Sequence, residues 1–97
     1  MSEKMTTSSG NVFKDLGFDT QEAENLRIRS DLMLAIKDIV NQNGWTQAEA
    51  AEKFGVKQPR ISEIFQGKIE LFTVDKLINM LARVGQKITF SVTGNAA

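Results

Sequence analysis

Residues 47–66 read QAEAAEKFGVKQPRISEIFQ, and this stretch decides the fold because it holds the residue types that two crossing helices joined by a tight turn require. Ala51 is small where the second helix must cross the first. Gly55 stands between the two helical patterns, where glycine adopts a positive φ without steric cost. The positions that must face a core or close the first helix are apolar: Phe54, Val56, Ile61 and Ile64.

The sequence also predicts where both helices begin. The stretch from Thr46 to Glu49 is a capping box, in which each side chain accepts from the backbone amide of the other residue, so the first helix begins at Thr46. Pro59 is the single proline of the chain. It is tolerated in the first helical position, where its missing N–H would lack an intrahelical partner anyway. The second helix therefore begins near Gln58 or Pro59. Together these features predict a helix-turn-helix, whose second helix enters the major groove of DNA.

Composition limits the functions that remain. A chain of 97 residues forms one small domain, and it contains no cysteine, histidine or tyrosine. The usual general base, the commonest metal ligand and thiolate sites are therefore missing. We find no catalytic, metal or cofactor pattern and expect a non-enzymatic protein without cofactors. No apolar run is long enough to span a bilayer, and the N-terminus lacks the apolar core of a secretory signal, so we expect a cytoplasmic protein that does not bind membranes.

Charge supports DNA binding only weakly. The chain has 12 basic and 12 acidic residues, a net charge of zero, although DNA-binding domains are usually basic. The distribution is uneven, since residues 46–87 hold seven basic and five acidic residues, a net charge of +2. We expect modest non-specific affinity, with operator binding that depends on direct contacts and on dimerisation.

The regions flanking the helix-turn-helix predict further helices. Residues 1–11 are polar and small, which predicts a disordered tail. The apolar cluster after it predicts one helical turn or a strap over the core: Val12, Phe13, Leu16 and Phe18. Asp19 or Thr20 caps a long helix that continues to about Asn43 and stops at Gly44.

After Gly67 ends the second helix of the motif, Thr73 caps another helix that Gly85 terminates. Its apolar residues recur at helical spacing: Val74, Leu77, Ile78, Leu81 and Ala82. Glycines therefore punctuate four helices, at positions 44, 55, 67 and 85. We expect residues 12–85 to form a mainly α DNA-binding domain.

The C-terminal segment has a different period. Residues 87–93 read KITFSVT, in which Ile88, Phe90 and Val92 alternate with polar residues. This pattern predicts a half-buried β-strand over residues 86–93, followed by a tail at 94–97. A lone strand with unpaired amides is unstable, so it needs a partner. Two solutions stay open: the strand pairs with a second copy as a dimerisation strand, or it pairs with the segment from Asn11 to Phe13 in the same chain.

Residues 12–93 resemble the Xre/Cro-type helix-turn-helix proteins, and in particular the HigA-like antitoxin branch. The most specific elements are TQAEAA and QPRIS, within a match that also includes FKDLGF and LRIRSDLMLAI. The resemblance implies a lambda-repressor-like bundle of four to five helices with a C-terminal β-strand. It also implies a small homodimeric repressor of palindromic operators, often in its own promoter, which commonly neutralises a toxin encoded beside it.

In that family's pattern Gln47 holds a phosphate, and the start of the recognition helix, here Lys57, Gln58 and Arg60, faces the DNA. Pro59 departs from phage repressors, which often place a polar base-reading side chain there, so their specificity code does not transfer. If Ile61 and Ile64 point inward, the opposite face of helix 58–66 points to the DNA. The predicted DNA-binding residues are Thr46, Gln47, Lys57, Gln58, Pro59, Arg60, Ser62, Glu63, Gln66 and Lys68.

Hydrogen-bonding chemistry assigns roles to several of these side chains. Gln58 reads adenine through N6 and N7, Arg60 reads guanine or holds a phosphate, and Glu63 accepts from cytosine N4. Gln47 and Lys68, with the backbone amides at the start of the helix, are candidates for phosphate positioning. The alternative is that these polar groups only solvate an exposed helix face.

Three functions are compatible with the sequence. The first is an operator-binding repressor that uses residues 46–68 and autoregulates a toxin-antitoxin operon. The second is a protein-binding module that chiefly sequesters a toxin through the N-terminal segment and the outer face of residues 12–35. The third is a stand-alone regulator, encoded by a phage or a chromosome, with no toxin partner.

Overall fold

The computed structural model describes residues 11–94, which form five α-helices and one 3₁₀ turn. The 3₁₀ turn, Ile69–Leu71, lies between the last two α-helices. The α-helices are α1 (Val12–Asp15), α2 (Thr20–Asn43), α3 (Gln47–Phe54), α4 (Gln58–Phe65) and α5 (Val74–Arg83). The expectation of a mainly α bundle of four to five helices is therefore confirmed.

The long helix α2 begins and ends where the sequence predicts. The Asp19 carboxylate accepts from the amide of Glu22 at 2.8 Å, which satisfies one of the free N–H groups at the helix start. Gly44 follows the helix in the left-handed conformation with φ of 66°. Its amide donates to the carbonyl of Asn41 at 3.2 Å. Local capping therefore sets both ends of this helix.

The helix-turn-helix is formed by α3 and α4. Thr46 and Glu49 make both bonds of the predicted capping box, at 3.1 Å from the Glu49 amide to the Thr46 hydroxyl and 2.8 Å from the Thr46 amide to the Glu49 carboxylate. Gly55 has φ of 72° in the turn. Helix α4 begins at Gln58. Pro59 therefore occupies the second helical position, whereas the sequence predicted the first. Thr73 caps α5 and accepts from the Lys76 amide at 3.2 Å.

Within residues 11–94, an apolar core joins α2, α3, α4 and α5. Helix α2 packs against α5 and α4, and α3 packs against both α4 and α5. Six large side chains are fully buried at the centre: Ile36, Phe54, Ile61, Ile64, Phe72 and Leu77. Complete burial of a side chain of this kind contributes about 1.5–3 kcal/mol. Met33 and Met80, expected from their helical spacing to fill the core, are both buried.

The N-terminal boundary differs from the prediction by one residue. Asn11, assigned to the tail, caps α1, because its side-chain oxygen accepts from the amide of Phe13 at 2.9 Å. Its amide nitrogen donates to the carbonyl of Ala23 at 3.0 Å, which ties the one-turn helix to α2. The remaining tail, residues 1–10, lies outside the described part of the chain. Helix α1 is the single helical turn that the apolar cluster predicted.

The predicted C-terminal strand is not confirmed, since no strand is found within residues 11–94. A strand needs a partner for its backbone N–H and C=O groups. The intrachain pairing with the segment from Asn11 to Phe13 is wrong, because that segment begins α1. Ile88 packs against the core, whereas Phe90 and Val92 are 86% and 90% exposed. The predicted tail 94–97 is described only at Gly94.

Within residues 11–94, none of the helices combines the length and the apolar character that a bilayer crossing requires.

Candidate nucleic-acid interface

The recognition helix α4 is anchored by its apolar face. Ile61 and Ile64 are both 0% exposed, as the sequence predicts, and Phe54 at the end of α3 is 1% exposed. Ala51, where the helices cross, is also buried. Val56 in the turn is half-buried against the same core. These contacts hold α4 on α3 with its opposite face directed outward.

The predicted DNA-binding residues fall into two groups by exposure. Seven are exposed, and they lie at the starts of α3 and α4 and after the end of α4: Thr46, Gln47, Lys57, Gln58, Pro59, Gln66 and Lys68. Three on the body of α4 are half-buried: Arg60, Ser62 and Glu63. All ten are therefore brought to the same helix-turn-helix unit, but their side chains differ in freedom.

The start of α4 has the polarity that phosphate positioning requires. The residue before the helix, Lys57, makes no side-chain capping bond, and Pro59 lacks an amide hydrogen. Lys57 and Gln58 are exposed, so the positive end of the helix dipole is accessible to solvent next to a basic residue. At the other end, the Gln66 amide nitrogen donates to the Ser62 hydroxyl at 3.0 Å. Gln66 lies just beyond α4, which ends at Phe65, so the predicted helix 58–66 is one residue too long.

Arg60 is engaged within the molecule. Its Nη1 lies 3.0 Å from the Glu63 carboxylate, one turn later on α4, and the two side chains are 39% and 25% exposed. The guanidinium also lies over the ring of Phe72, 5.7 Å from the centroid. Arg60 therefore lies on the flank of α4 next to the segment that follows it, and it has an ion-pair partner before any DNA is present.

Two residues that sequence reasoning missed support this arrangement. Phe72, 1% exposed, provides the ring beneath Arg60. Arg29 of α2 donates from Nη1 to the carbonyl oxygens of Ile69 and Phe72, at 3.3 Å and 3.2 Å. No local pattern predicts these contacts, because Arg29 is 40 and 43 residues from its two partners and Arg60 is 12 residues from Phe72.

Trp45 has the packing role that its position favours. It meets Phe54 edge to face with ring centroids 6.0 Å apart, and the Lys53 ammonium lies 5.8 Å from its ring centroid. These contacts stabilise the start and end of α3 against each other. Among residues 11–94 the structure has no group of three acidic side chains placed to hold a metal ion.

An anchored second helix with an outward polar face, joined to its partner helix by a glycine turn, defines the class of helix-turn-helix DNA-binding proteins. Residues 12–93 match the family described as "Helix-turn-helix domain", and the chain belongs to that family.

Named relatives narrow this assignment. The chain is 34% identical over 68 residues to Antitoxin HipB of Escherichia coli strain K12, a match that covers 70% of this chain and 76% of HipB. It is 29% identical over 80 residues to Antitoxin HipB of Escherichia coli O6:H1 strain CFT073, which covers 82% and 84% of the two chains.

A solved structure described as a putative XRE family transcriptional regulator superimposes with a TM-score of 0.70 at 25% identity, covering 77% of this chain and 84% of that one. The resemblance to the Xre-type helix-turn-helix antitoxin family is thus confirmed, and the antitoxins found carry the name HipB. The chain is a DNA-binding helix-turn-helix regulator of the Xre type.

Proposed function

We propose that this chain is a sequence-specific repressor that binds a palindromic operator as a homodimer through residues 58–66. One observation carries the proposal. Helix α4 is anchored by Ile61 and Ile64, both 0% exposed, while Gln58, Pro59 and Gln66 on its outer side are exposed. A helix held in this way presents polar groups to a major groove without any loss of core packing.

The exposed residues have separate roles in this proposal. Gln58, at the first turn of α4, reads adenine by a bidentate contact to N6 and N7. Gln47, Thr46 and Lys57 lie at the starts of the two helices, where phosphates of one strand run past, and Lys68 lies beyond the end of α4. Contacts to phosphates fix the register of the protein on the duplex, and the base contacts supply the sequence preference.

The homodimer forms through the C-terminal segment in this proposal. Phe90 and Val92 are almost fully exposed in the single chain, and Ile88 already packs on the core. Pairing of residues 86–93 with the same segment of a second copy covers these side chains and satisfies the backbone groups. The two recognition helices then lie about 34 Å apart, or a multiple of that spacing, and inverted half-sites follow.

Sedimentation tests the dimer directly. A chain that lacks residues 87–97 is expected to sediment as a monomer, while the full chain sediments as a dimer. A truncated chain that remains dimeric overturns this interface.

The names of two relatives support a more specific role. Because both are antitoxins, we place this chain in a toxin-antitoxin operon as the antitoxin and autoregulator. Binding to the operon's promoter implies a cytoplasmic protein. Footprinting of the DNA upstream of its own gene is expected to protect an inverted repeat. A footprint on a distant promoter, with no toxin gene adjacent, supports the alternative of a stand-alone Xre-type regulator.

Toxin sequestration is a second candidate, favoured by exposed apolar side chains outside the helix-turn-helix. Val12 and Leu16 of α1 are 59% and 70% exposed, and Leu34 of α2 is 50% exposed. These residues lie within the outer face of residues 12–35 that sequestration would use. Co-purification of the adjacent gene's product with the wild-type chain, and its loss with Leu16→Asp, tests this role. Retention of the product by that variant argues against this surface.

A further inference from the structure

The ion pair between Arg60 and Glu63 leaves specific hydrogen-bonding groups free. It joins Nη1 of Arg60 to Oε1 of Glu63 at 3.0 Å. Within residues 11–94, the Nε and Nη2 edge of Arg60 and the Oε2 atom of Glu63 make no hydrogen bond. The pair therefore offers a two-donor edge beside an acceptor, on one flank of the recognition helix.

Contacts with Phe72 and, through it, with Arg29 fix the position of the Arg60–Glu63 pair. The Arg60 guanidinium lies over Phe72, and the Phe72 carbonyl accepts from Arg29 at 3.2 Å. Arg29 belongs to α2, so the ring beneath Arg60 is tied to the longest helix of the core. Arg60 thus has an ion-pair partner on one side and an aromatic ring on the other, which limits the orientations of its guanidinium plane.

The pattern of donors and acceptor matches one base pair. In the major groove guanine shows two acceptors, N7 and O6, and the paired cytosine shows the N4 donor. The free edge of an arginine bonds guanine N7 and O6, and a carboxylate oxygen accepts from cytosine N4. A phosphate is a worse partner for this pair, because the Glu63 carboxylate repels it.

We propose that Arg60 and Glu63 act as one unit that reads a G·C pair in each half-site and that Glu63 determines specificity by keeping Arg60 from phosphates. This inference rests on the proposed operator binding and names the base pair that the flank of α4 selects. Glu63→Gln frees Arg60 to hold a phosphate and replaces the charged carboxylate acceptor with a weaker, neutral amide oxygen. Sequence preference then falls while non-specific affinity rises.

In vitro selection from a pool of duplexes with randomised sequence tests the unit. The wild-type protein is expected to enrich an inverted repeat with a G·C pair at one position of each half-site. Arg60→Ala, Glu63→Gln and the double variant are each expected to lose about tenfold of the preference at that same position and to keep the others. The double variant does not lose more than the single variants, since the pair acts as a unit.

Binding to one shuffled duplex supplies a second readout. Glu63→Gln is expected to bind it more tightly than the wild type, with a salt dependence steeper by about one phosphate contact. Glu52→Gln is the matched control, since it removes the same charge from an exposed position of α3. The control is expected to keep the wild-type consensus and salt dependence, and thermal melting establishes that each variant is folded.

The outcomes separate the two ideas. If the wild-type protein enriches no sequence, the proposed operator function fails. If it enriches a consensus that Glu63→Gln leaves unchanged, or if Arg60→Ala and Glu63→Gln lose preference at different positions, operator binding stands and the reading unit is overturned.

Discussion

The Nη1 atom of Arg29 donates a hydrogen bond of 3.2 Å to the carbonyl oxygen of Phe72, 43 residues further along the chain. The same atom donates to the Ile69 carbonyl at 3.3 Å, so one side chain holds both ends of the 3₁₀ turn after α4. The Arg29 Nε atom is buried and has no hydrogen-bond partner among residues 11–94. The long helix α2 thereby fixes the segment that supports Arg60.

Arg29→Met is expected to lower the free energy of unfolding by about 1–3 kcal/mol, because two partly buried carbonyls lose a charged donor. The loss of the unsatisfied Nε atom offsets part of this cost, which places the expected value toward the lower end. Urea unfolding measures it. Arg27→Met is the matched control on the same helix, and an equal loss in both variants would contradict the assigned role of Arg29.

The ion pair between Arg27 and Glu24 is expected to make the free energy of unfolding depend on pH. The Arg27 guanidinium donates a hydrogen bond to the Glu24 carboxylate at 2.7 Å. This hydrogen bond holds the Glu24 pKa below its ordinary value of 4.5. Slight burial opposes the shift, and the attraction between the two charges adds to it. A lowered folded-state pKa stabilises the fold above pH 4.5, and this contribution disappears as the pH falls through the folded-state pKa.

The side chains of Arg27 and Glu24 are 44% and 55% exposed. Arg27→Met is therefore expected to lower the free energy of unfolding by less than about 1 kcal/mol at neutral pH. The difference between the wild type and this variant should vanish well below pH 4.5. Urea titrations across that range measure the difference, and a gap that widens with acid is the contrary result.

Gly55 is required in the turn because of its positive φ. Its φ is 72°, and a Cβ atom built there would lie 2.6 Å from Nε of Arg83. Gly44 has φ of 66° but has no atom within 4 Å of such a Cβ. Gly44→Ala and Gly55→Ala are each expected to cost about 1–2 kcal/mol from backbone strain, because the exposed Arg83 side chain can move away from a Cβ at position 55. Adding Arg83→Ala to Gly55→Ala should change the melting temperature shift little, and a large rescue would contradict the free movement of Arg83.

Gln58 and Lys57 are neighbours with different predicted contacts. Gln58→Ala is expected to leave the melting temperature unchanged and to cost about 1–3 kcal/mol of operator affinity, because an adenine contact is lost. Lys57→Ala should weaken binding to all duplexes alike and reduce the salt slope by about one. Gel shifts on the selected operator and a shuffled duplex measure both, with Gln42→Ala on α2 as the control. Equal effects of Gln58→Ala on both duplexes would remove its role as a base reader.

Phe90 tests the proposed dimer with a single substitution. Since its side chain is 86% exposed in the single chain, Phe90→Ala is expected to leave the helical domain intact and to raise the dimer dissociation constant. Sedimentation over a range of concentrations measures this constant. Thr89→Ala changes the alternate face of the same segment and should have little effect. An unchanged constant in Phe90→Ala would place the interface elsewhere.

Local features of the chain predicted most of the fold. The caps at Asp19, Thr46 and Thr73 lie where expected, because each is a bond between residues three positions apart. The inward direction of Ile61 and Ile64 follows from helical spacing, so the outer face of α4 was also predictable. The C-terminal segment was not, since alternation identifies a strand only when a partner is present.

The sequence by itself determined the helix boundaries of the helix-turn-helix to within one residue, and its glycine turn, because short-range hydrogen bonds and backbone preferences select them. The tertiary structure decided which recognition-helix side chains remain free. Arg60 contacts Phe72 only after the chain has folded back. Arg29 of α2, 43 residues before Phe72, holds the backbone of Phe72 in place. Contacts at such separations arise from the packing of α2 against its neighbours, which no local pattern encodes.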